Sequence, residues 1–587
     1  MNFQGFLNSE IYKLHELSWY IHQFKKKYKK LDTNDADTIK VALVSSFTIS
    51  GLTETLTVMA AENNISISVY SIPYKQHNQE ILNSTSALYR FDPQIIYLLL
   101  DVNSLIGDMT DFVSESTSPS AFLSLETLIM SYINSLQKQT KARIVCGFFT
   151  ANQSSVLGEL ATSFPGSTSF MFEQLKLKLA ITQEFYQRVF FLDTQNLIAQ
   201  LGTDEFYDPK LYFLGDYVIN PLSFPYLAYR LFAYIKAQAG KTKKCIVVDL
   251  DNTLWGGIVG EVGLNNIVVS SQPPGNAYRN FQQTLLNFYR RGVLLAINSN
   301  NNLKDAMEAI DSHPGMLLRK EHFASIIINW DDKVINIKRI AKELNLGLDS
   351  MVFIDDDPKK RLLMRSLLPQ VLTLELPLDP AYYSLGLTSI NDFFQFQITK
   401  QDLSRGVQYS QQTQRKKIAS TAQNLSDYLK NLKLKVVVLP ITNITISRIS
   451  QLTQRTNQFN MTTYRYSEAD IEKFLNDPVY KLYSFEVIDH FGSYGICGVV
   501  IIKKINSTIW EINSFLLSCR VLGLGVERTI LSFITSQARD NKISKIVGLF
   551  IPTEKNHPAK EVYKNTGFKL VGKNKKIQKW VYGLKKL

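Results

Sequence analysis

Apolar residues recur along this chain in short blocks, and the spacing of the blocks sets out the architecture. Between residues 38 and 240, Val41–Val44, Ile65–Tyr70, Ile95–Leu100, Ile144–Phe149 and Val189–Leu192 are apolar runs separated by helical stretches. Strand runs alternating with helices predict a parallel α/β sheet. A second series, Cys245–Val248, Val293–Ile297 and Met351–Ile354, repeats the pattern, and each run stops at a polar cluster. From Leu434–Leu439 onward the pattern changes. β-rich runs meet at the glycine-containing turn Asp489–Gly495, and Ile509–Leu517 precedes a helix starting near Val526, which predicts an α+β module. At the N-terminus, Ile11, Leu14, Leu17, Trp19, Ile21 and Phe24 follow the possible caps Asn8 and Ser9, so one amphipathic helix is expected over 1–37. Leu425, Tyr428, Leu429 and Leu432 have helical spacing after a Gln-rich stretch, giving an expected helical connector at 400–434. The expected organisation is thus 1–37, 38–240, 241–399, 400–434 and 435–587.

A chain of 587 residues exceeds a single core. Its 45% hydrophobic and 20% charged content is that of a globular protein. No apolar run reaches the roughly 18 residues a membrane span needs, and Met1-Asn-Phe-Gln-Gly5 lacks the basic start of a signal peptide. Cys146, Cys245, Cys497 and Cys519 are too widely spaced to suggest a disulfide frame or a zinc site. A cytoplasmic protein without membrane attachment is expected. The net charge of +13 and pI near 9.2, with lysine clusters at 25–30 and 573–586, suit acidic partners such as phosphorylated small molecules or acidic proteins. With no zinc finger, basic zipper or RNA-binding aromatic signature, nucleic acid is not an expected partner.

Candidate chemistry lies where the second series of runs ends. Val248 is followed by Asp249-Leu-Asp-Asn-Thr253, so two carboxylates leave one strand end two residues apart. Ligands of open α/β sheets bind at the carboxyl ends of strands, and paired acids repel unless a cation such as Mg²⁺ lies between them. An aspartate there can attack phosphorus. Asn298-Ser299-Asn300 supplies a hydroxyl, Lys333 a cation able to neutralise a transferring phosphoryl group, and Asp355-Asp356-Asp357-Pro358 more acids. This order resembles the four motifs of the haloacid dehalogenase (HAD) superfamily over residues 241–399. The resemblance implies that Asp249 is the nucleophile and Asp251 the general acid/base. Thr253, Ser299 and Lys333 would bind phosphate. Asp249, Asp251, Asp355 and Asp356 would form the Mg²⁺ site. The segment 256–270 is too short for a large cap, so an open site is expected.

Elsewhere the motifs are of other kinds. Ser45-Ser46 follows the first strand about where an SGNH-type hydrolase carries its nucleophile. The Gly-x-Asn-Asp loop and Asp-x-x-His pair that would activate it are missing, so docking or scaffolding is expected of 38–240. In the last third, Arg520-Val-Leu-Gly523-Leu-Gly525 after a strand resembles the pantetheine-pyrophosphate loop of GNAT acyltransferases, whose glycines and helix N-terminus favour phosphate. Asn556, Ala559, Tyr563, Gly567 and Phe568 fit the next motif of that family. Arg520, Gly523, Gly525, Asn556 and Tyr563 would bind phosphopantetheine or CoA. Cys519 has two readings: a small buried hydrophobe, or a thiolate favoured by the neighbouring arginine and helix N-terminus, with a catalytic role.

Taken together, Asp249-Leu-Asp-Asn-Thr-Leu-Trp-Gly-Gly257, Gly347-Leu-Asp-Ser350 leading into Phe353-Ile-Asp-Asp356, Gln454-Arg-Thr-Asn-Gln-Phe-Asn460 and Ser518-Cys-Arg-Val-Leu-Gly523 resemble the FkbH-like family of the HAD-IIIC branch. Two positions depart from its pattern: Asp357 where Asn is expected, and Asn300 where Lys is common. The resemblance implies an α/β multidomain protein: a parallel α/β N-terminal domain, a HAD-like Rossmannoid domain and an α+β GNAT-like C-terminal domain. It also implies removal of phosphate from an acyl phosphate such as 1,3-bisphosphoglycerate, with loading of an acyl carrier protein for polyketide-type biosynthesis. Two alternatives stay open: a stand-alone phosphatase with a binding-only C-terminal module, and a non-catalytic carrier-protein scaffold.

Overall fold

The computed structural model describes residues 3–28, 38–106, 118–150, 155–165, 167–182, 186, 188–403, 433–490, 492–573 and 577–584. Two compact units result. One holds Met1–Ala239 with Ser389–Phe396, the other Gly240–Thr388 with Gln397–Leu587.

The first unit is built on five parallel strands: β1 (Ile39–Ser45), β2 (Ile67–Ser71), β3 (Ile95–Asp101), β4 (Arg143–Phe149) and β5 (Val189–Phe191), in the order β2-β1-β3-β4-β5. Every residue of β3 is buried, because helices cover both faces of a parallel sheet. One face carries Leu52–Glu62 and Phe224–Gln238, the other Ser118–Gln139 and Thr168–Thr182. The N-terminal segment differs from the single helix expected. Its helical turns at 3–12 and Leu17–Tyr28 are separated at 13–16, where Lys13 takes a left-handed φ of 52° that no continuous helix allows. Leu7, Tyr12, Leu17 and Tyr20 then join the core beside Leu52 and Leu227. Ser389–Phe396 also returns to this unit, where Phe394 and Phe396 pack on the same core and Asp392 pairs with Lys236 at 2.9 Å.

The second unit contains two sheets. In the first, β6 (Cys245–Val248), β7 (Leu294–Ser299), β8 (Phe323–Ile328), β9 (Met351–Ile354) and β10 (Leu372–Thr373) are all parallel, in the order β10-β9-β6-β7-β8. β6 is central and wholly buried, so the loops leaving β6, β7 and β9 converge at one edge.

The second sheet has seven strands: β11 (Lys435–Leu439), β12 (Tyr480–Asp489), β13 (Gly492–Asn506), β14 (Ile509–Leu517), β15 (Lys545–Phe550), β16 (Lys569–Lys573) and β17 (Gln578–Gly583). Their order is β11-β12-β13-β14-β15-β17-β16, antiparallel except for β14 and β15. Those two pair only from Ile509–Ile512 against Lys545–Gly548 and then part. Of the expected connector, only Lys400–Leu403 and residue 433 onward fall within the described residues.

Candidate active site

The carboxyl ends of β6 and β9 bring Asp249, Asp355 and Asp356 together. One carboxylate oxygen from each lies within 4.8 Å of the other two. Lys333, at the first turn of the helix Lys333–Leu344, reaches in from the neighbouring loop. Asp332 caps that helix by accepting from the Val334 N–H at 2.7 Å. The Lys333 ammonium is 2.7 Å from Asp249 Oδ2 and 2.6 Å from Asp355 Oδ2. Burial would push its pKa down, yet the two carboxylates override this and hold it above the usual lysine value. Burial and then the charge of Asp249 raise the Asp355 and Asp356 carboxyls, Asp356 to about 6. Three clustered carboxylates thus face one ammonium, and Asp249 Oδ1 is buried with no hydrogen-bond partner. An all-oxygen donor set with surplus negative charge and an open acceptor fits a hard divalent cation. Ser299 closes β7 and is buried. Thr253 is buried in the turn after β6, its hydroxyl without a partner.

Asp251 stands apart from that trio. Asp251 is expected among the metal ligands; here both of its carboxylate oxygens accept hydrogen bonds. Oδ1 accepts from Trp255 Nε1 at 2.9 Å and the Val259 N–H at 3.1 Å, and Oδ2 accepts from Asn301 Nδ2 at 2.8 Å. Burial, outweighing these bonds, raises its pKa, the direction that suits a group exchanging a proton. Asn301 and Trp255 therefore position Asp251, a role that sequence spacing did not single out. Other positioning groups were equally silent. Arg361 donates to the carbonyls of both Asp355 and Asp356 at 2.7 Å and pairs with Glu375. Asn298 donates to the carbonyl of Lys333 at 2.9 Å. Asp357, the departure from the family pattern, caps the helix Pro358–Leu367 through the Lys359 N–H at 2.8 Å, a task Asn performs equally well. The stretch after β6 forms only a small flap, with short helical turns at Val259–Val262 and Leu264–Asn266.

In the first unit, Ser45 and Ser46 are buried. Ser45 Oγ donates to the carbonyl of Phe47 at 2.8 Å, and Ser46 Oγ accepts from the Asp101 N–H at 2.8 Å. Both hydroxyls serve the backbone.

The seven-stranded module holds its expected ligand residues in its own bonding. Where β14 and β15 part, the chain's own Phe459–Met461 fills the gap. Met461 N–H donates to Phe515 O at 2.9 Å, Leu517 N–H to Phe459 O at 3.0 Å, and Ile551 N–H to Met461 O at 2.7 Å. Asn556 is fully buried and locks this segment. Its Nδ2 donates to the carbonyls of Asn460 (3.0 Å) and Ile551 (2.8 Å), and its Oδ1 accepts from the Thr553 N–H (2.8 Å). Tyr563 is buried against Gly548, where a Cβ would come within 2.5 Å of its ring. Asn556 staples the inserted segment and Tyr563 fills core. Gly523 and Gly525 take φ of 79° and 73°, and an added Cβ at either would meet no atom within 4 Å. Conformation rather than crowding therefore requires glycine there. Arg520 is buried and its Nε donates to Ser518 Oγ at 3.2 Å. Cys519 sits in a one-turn 3₁₀ helix, Cys519–Val521, so the long helix, Val526–Asp540, begins well beyond it.

Residues 40–236 match the model of the FkbH N-terminal domain. Among solved structures, the N-terminal part of protein BF1531 from Bacteroides fragilis, which contains a phosphatase domain and was crystallised with Mg, is similar. It shares 27% identity over 65% of this chain and 100% of that one, with a TM-score of 0.59. The GNAT domain of S. lividans PAT (17% identity, 25% of this chain, 89% of that one, TM-score 0.21) and the spermidine N-acetyltransferase of Vibrio cholerae (18%, 25%, 95%, 0.21) also align. No curated protein matches. No described helix is long and apolar enough to cross a membrane. The fold is α/β multidomain, and the likeness to a phosphatase-domain structure supports a phosphatase-type enzyme. The family match over 40–236 and the likeness to a phosphatase-bearing relative make the chain similar to the FkbH-like family and support a phosphatase-like function.

Proposed function

We propose that this protein is an Mg²⁺-dependent phosphatase and acyltransferase that removes phosphate from a small phosphorylated acyl donor and delivers the acyl group to an acyl carrier protein. The observation that carries the phosphatase half is the Asp249, Asp355 and Asp356 trio with Lys333 bridging two of its members. Asp249 Oδ1, buried and unpartnered, attacks phosphorus; the P–O bond to the leaving group breaks, and Asp251 supplies the proton to the departing oxygen. Asp251 then takes a proton from water, which attacks the aspartyl phosphate and releases inorganic phosphate and free Asp249. Lys333, Thr253 and Ser299 surround the phosphoryl oxygens, and Lys333 spreads the charge that develops there. Mg²⁺ held by Asp249, Asp355 and Asp356 supplies charge neutralisation for the phosphate. The Mg of the Bacteroides fragilis relative supports that choice of ion.

Acyl transfer belongs to the GNAT-like module. A thiol attacks the carbonyl carbon of an acyl phosphate, the acyl C–O bond breaks, and inorganic phosphate leaves with the electron pair. We assign this step to Cys519, partly exposed while the other three cysteines are buried; the carrier's pantetheine thiol then attacks the Cys519 thioester, the C–S bond to Cys519 breaks, and its thiol is released. A remaining phosphate ester is then cleaved at Asp249. The test is intact-protein mass spectrometry of candidate carrier proteins incubated with enzyme, Mg²⁺ and 1,3-bisphosphoglycerate, alongside a phosphate-release assay. Loading that needs both Mg²⁺ and Cys519 supports the full reading. Phosphate release at full rate without any carrier, and no acyl adduct, reduces it to a phosphatase.

A further inference from the structure

Lys333 serves the site only while its ammonium stays between two carboxylates, 2.7 Å from Asp249 and 2.6 Å from Asp355. Its side chain is long and flexible, and misplacing a catalytic group by about 1 Å can cost about 10²-fold in rate. The main chain that carries it therefore has to be fixed. Lys333 opens the helix Lys333–Leu344, and the loop 329–332 leads into it from β8. That loop has no apolar anchor, since Trp330, its one large apolar side chain, is 73% exposed. Asp331 pairs with Arg339 at 2.6 Å, but both side chains are more than half exposed, and such a pair holds little.

Amide groups at the end of β7 hold the loop instead. Asn298 Nδ2 donates to the Lys333 carbonyl at 2.9 Å. Asn300 Nδ2 donates to two loop carbonyls, those of Asn329 at 3.0 Å and Asp331 at 2.9 Å, and so clasps the chain on either side of Trp330. Asn329 is secured in turn. Its N–H donates to the Ser299 carbonyl at 3.1 Å, and its Oδ1 accepts from Asn336 Nδ2 at 2.8 Å. Turning the Asn300 amide over would set its oxygen against the same two carbonyls, so its orientation is fixed. Oδ1 is then buried without a partner, and all the bonding of this side chain within the protein is through its donor.

We propose that Asn300 is a positioning residue of the phosphatase site. Through the carbonyls of Asn329 and Asp331 it sets the loop that delivers Lys333, and so keeps the ammonium on Asp249 and Asp355. The inference deepens the phosphatase half of the proposed function and rests on it for the effect on turnover, but not for the effect on Lys333 itself.

Acetylation of Lys333 by acetic anhydride, followed on the full chain by peptide mass spectrometry, reads its placement without catalysis. Lys338, exposed on the same helix, is the internal reference. In wild type, Lys333 is buried between its carboxylates and protected. Asn300→Ala and the shape-conserving Asn300→Asp, each checked for an intact thermal transition, raise Lys333 acetylation about tenfold relative to Lys338. In both variants kcat for phosphate release falls about 10–100-fold, with KM near that of wild type. In a Lys333→Ala background, Asn300→Ala lowers turnover by less than about twofold more, because the two residues act as one unit. Unchanged Lys333 acetylation in both variants, or an equally large loss of turnover once Lys333 is gone, overturns the proposal. Raised acetylation together with phosphate release indifferent to Lys333→Ala upholds the clasp and overturns the phosphatase reading instead.

Discussion

At the carboxyl end of β6, buried polar atoms are left wanting; beside β14, the insert Phe459–Met461 and the Asn556 that holds it have their polar groups paired. Asp249 Oδ1, Thr253 Oγ1 and Asn300 Oδ1 are all buried without partners within one loop cluster. In the seven-stranded module, Asn556 meets two carbonyls and one N–H, and the Phe459–Met461 insert pairs on both sides. The Tyr563 hydroxyl is left over there, enclosed by core, as are side-chain oxygens of Gln454, Gln458 and Glu527 away from the insert. Interiors rarely tolerate unpaired polar groups, so a cluster of them beside surplus charge marks a place built for a ligand. A saturated network marks a place built to stay closed. In the first region the motif residues Asp249 and Thr253 keep an open acceptor, whereas in the second Asn556 is spent on the backbone.

Asp249→Asn gives the largest expected effect. It removes the attacking charge at constant shape, so phosphate release falls to background while the thermal transition stays. Residual turnover above a small fraction of wild type would move the nucleophile elsewhere. Chelation by EDTA, reversed by added Mg²⁺, produces the same loss in wild type. Lys333→Ala follows, with turnover down about 10²–10³-fold for one preorganised electrostatic donor; Lys333→Arg recovers part of it. Kinetics unchanged in the alanine variant would contradict the bridging role. Asn301→Ala, which frees one oxygen of Asp251, lowers turnover about 10–100-fold, the range for a group that orients a reacting residue. Its signature is a shifted acid–base limb in the pH–rate profile rather than a raised KM.

On the other side of the comparison the expected losses are of stability. Asn556→Ala leaves the buried carbonyl of Asn460 and the partly buried carbonyl of Ile551 without their donor and costs about 1–3 kcal/mol, read as a lower denaturant midpoint. If carrier loading collapses with the midpoint unmoved, Asn556 touches ligand after all. Tyr563→Phe, the smallest change, removes a buried unpaired hydroxyl and leaves stability unaltered or raises it by up to about 1 kcal/mol.

Much of this was legible along the chain because period and polarity report local geometry directly. The runs ending at Asp249, Ser299 and Asp355 became β6, β7 and the loop after β9, since strands buried on both faces need continuous apolar sequence. What stayed hidden depends on groups far apart in the chain. Asn301 and Arg361 look like ordinary surface-loop and helix residues until folding sets them on Asp251 and on the carbonyls of Asp355 and Asp356. The insertion of Phe459–Met461 between β14 and Ile551 joins segments some ninety residues apart in sequence, and no local pattern announces it. The break at Lys13 was equally unmarked, since neither glycine nor proline stands there.

The central claim is that Asp249 performs the phosphoryl chemistry, and acid-quenched turnover tests it most directly. Enzyme mixed with Mg²⁺ and a phosphorylated substrate, quenched in acid and digested, should yield a phosphorylated peptide spanning Asp249. The modification should be lost on hydroxylamine treatment and absent from Asp249→Asn. Full phosphate release with an unmodified Asp249 peptide, or a phosphorylated aspartate at another position, would contradict it.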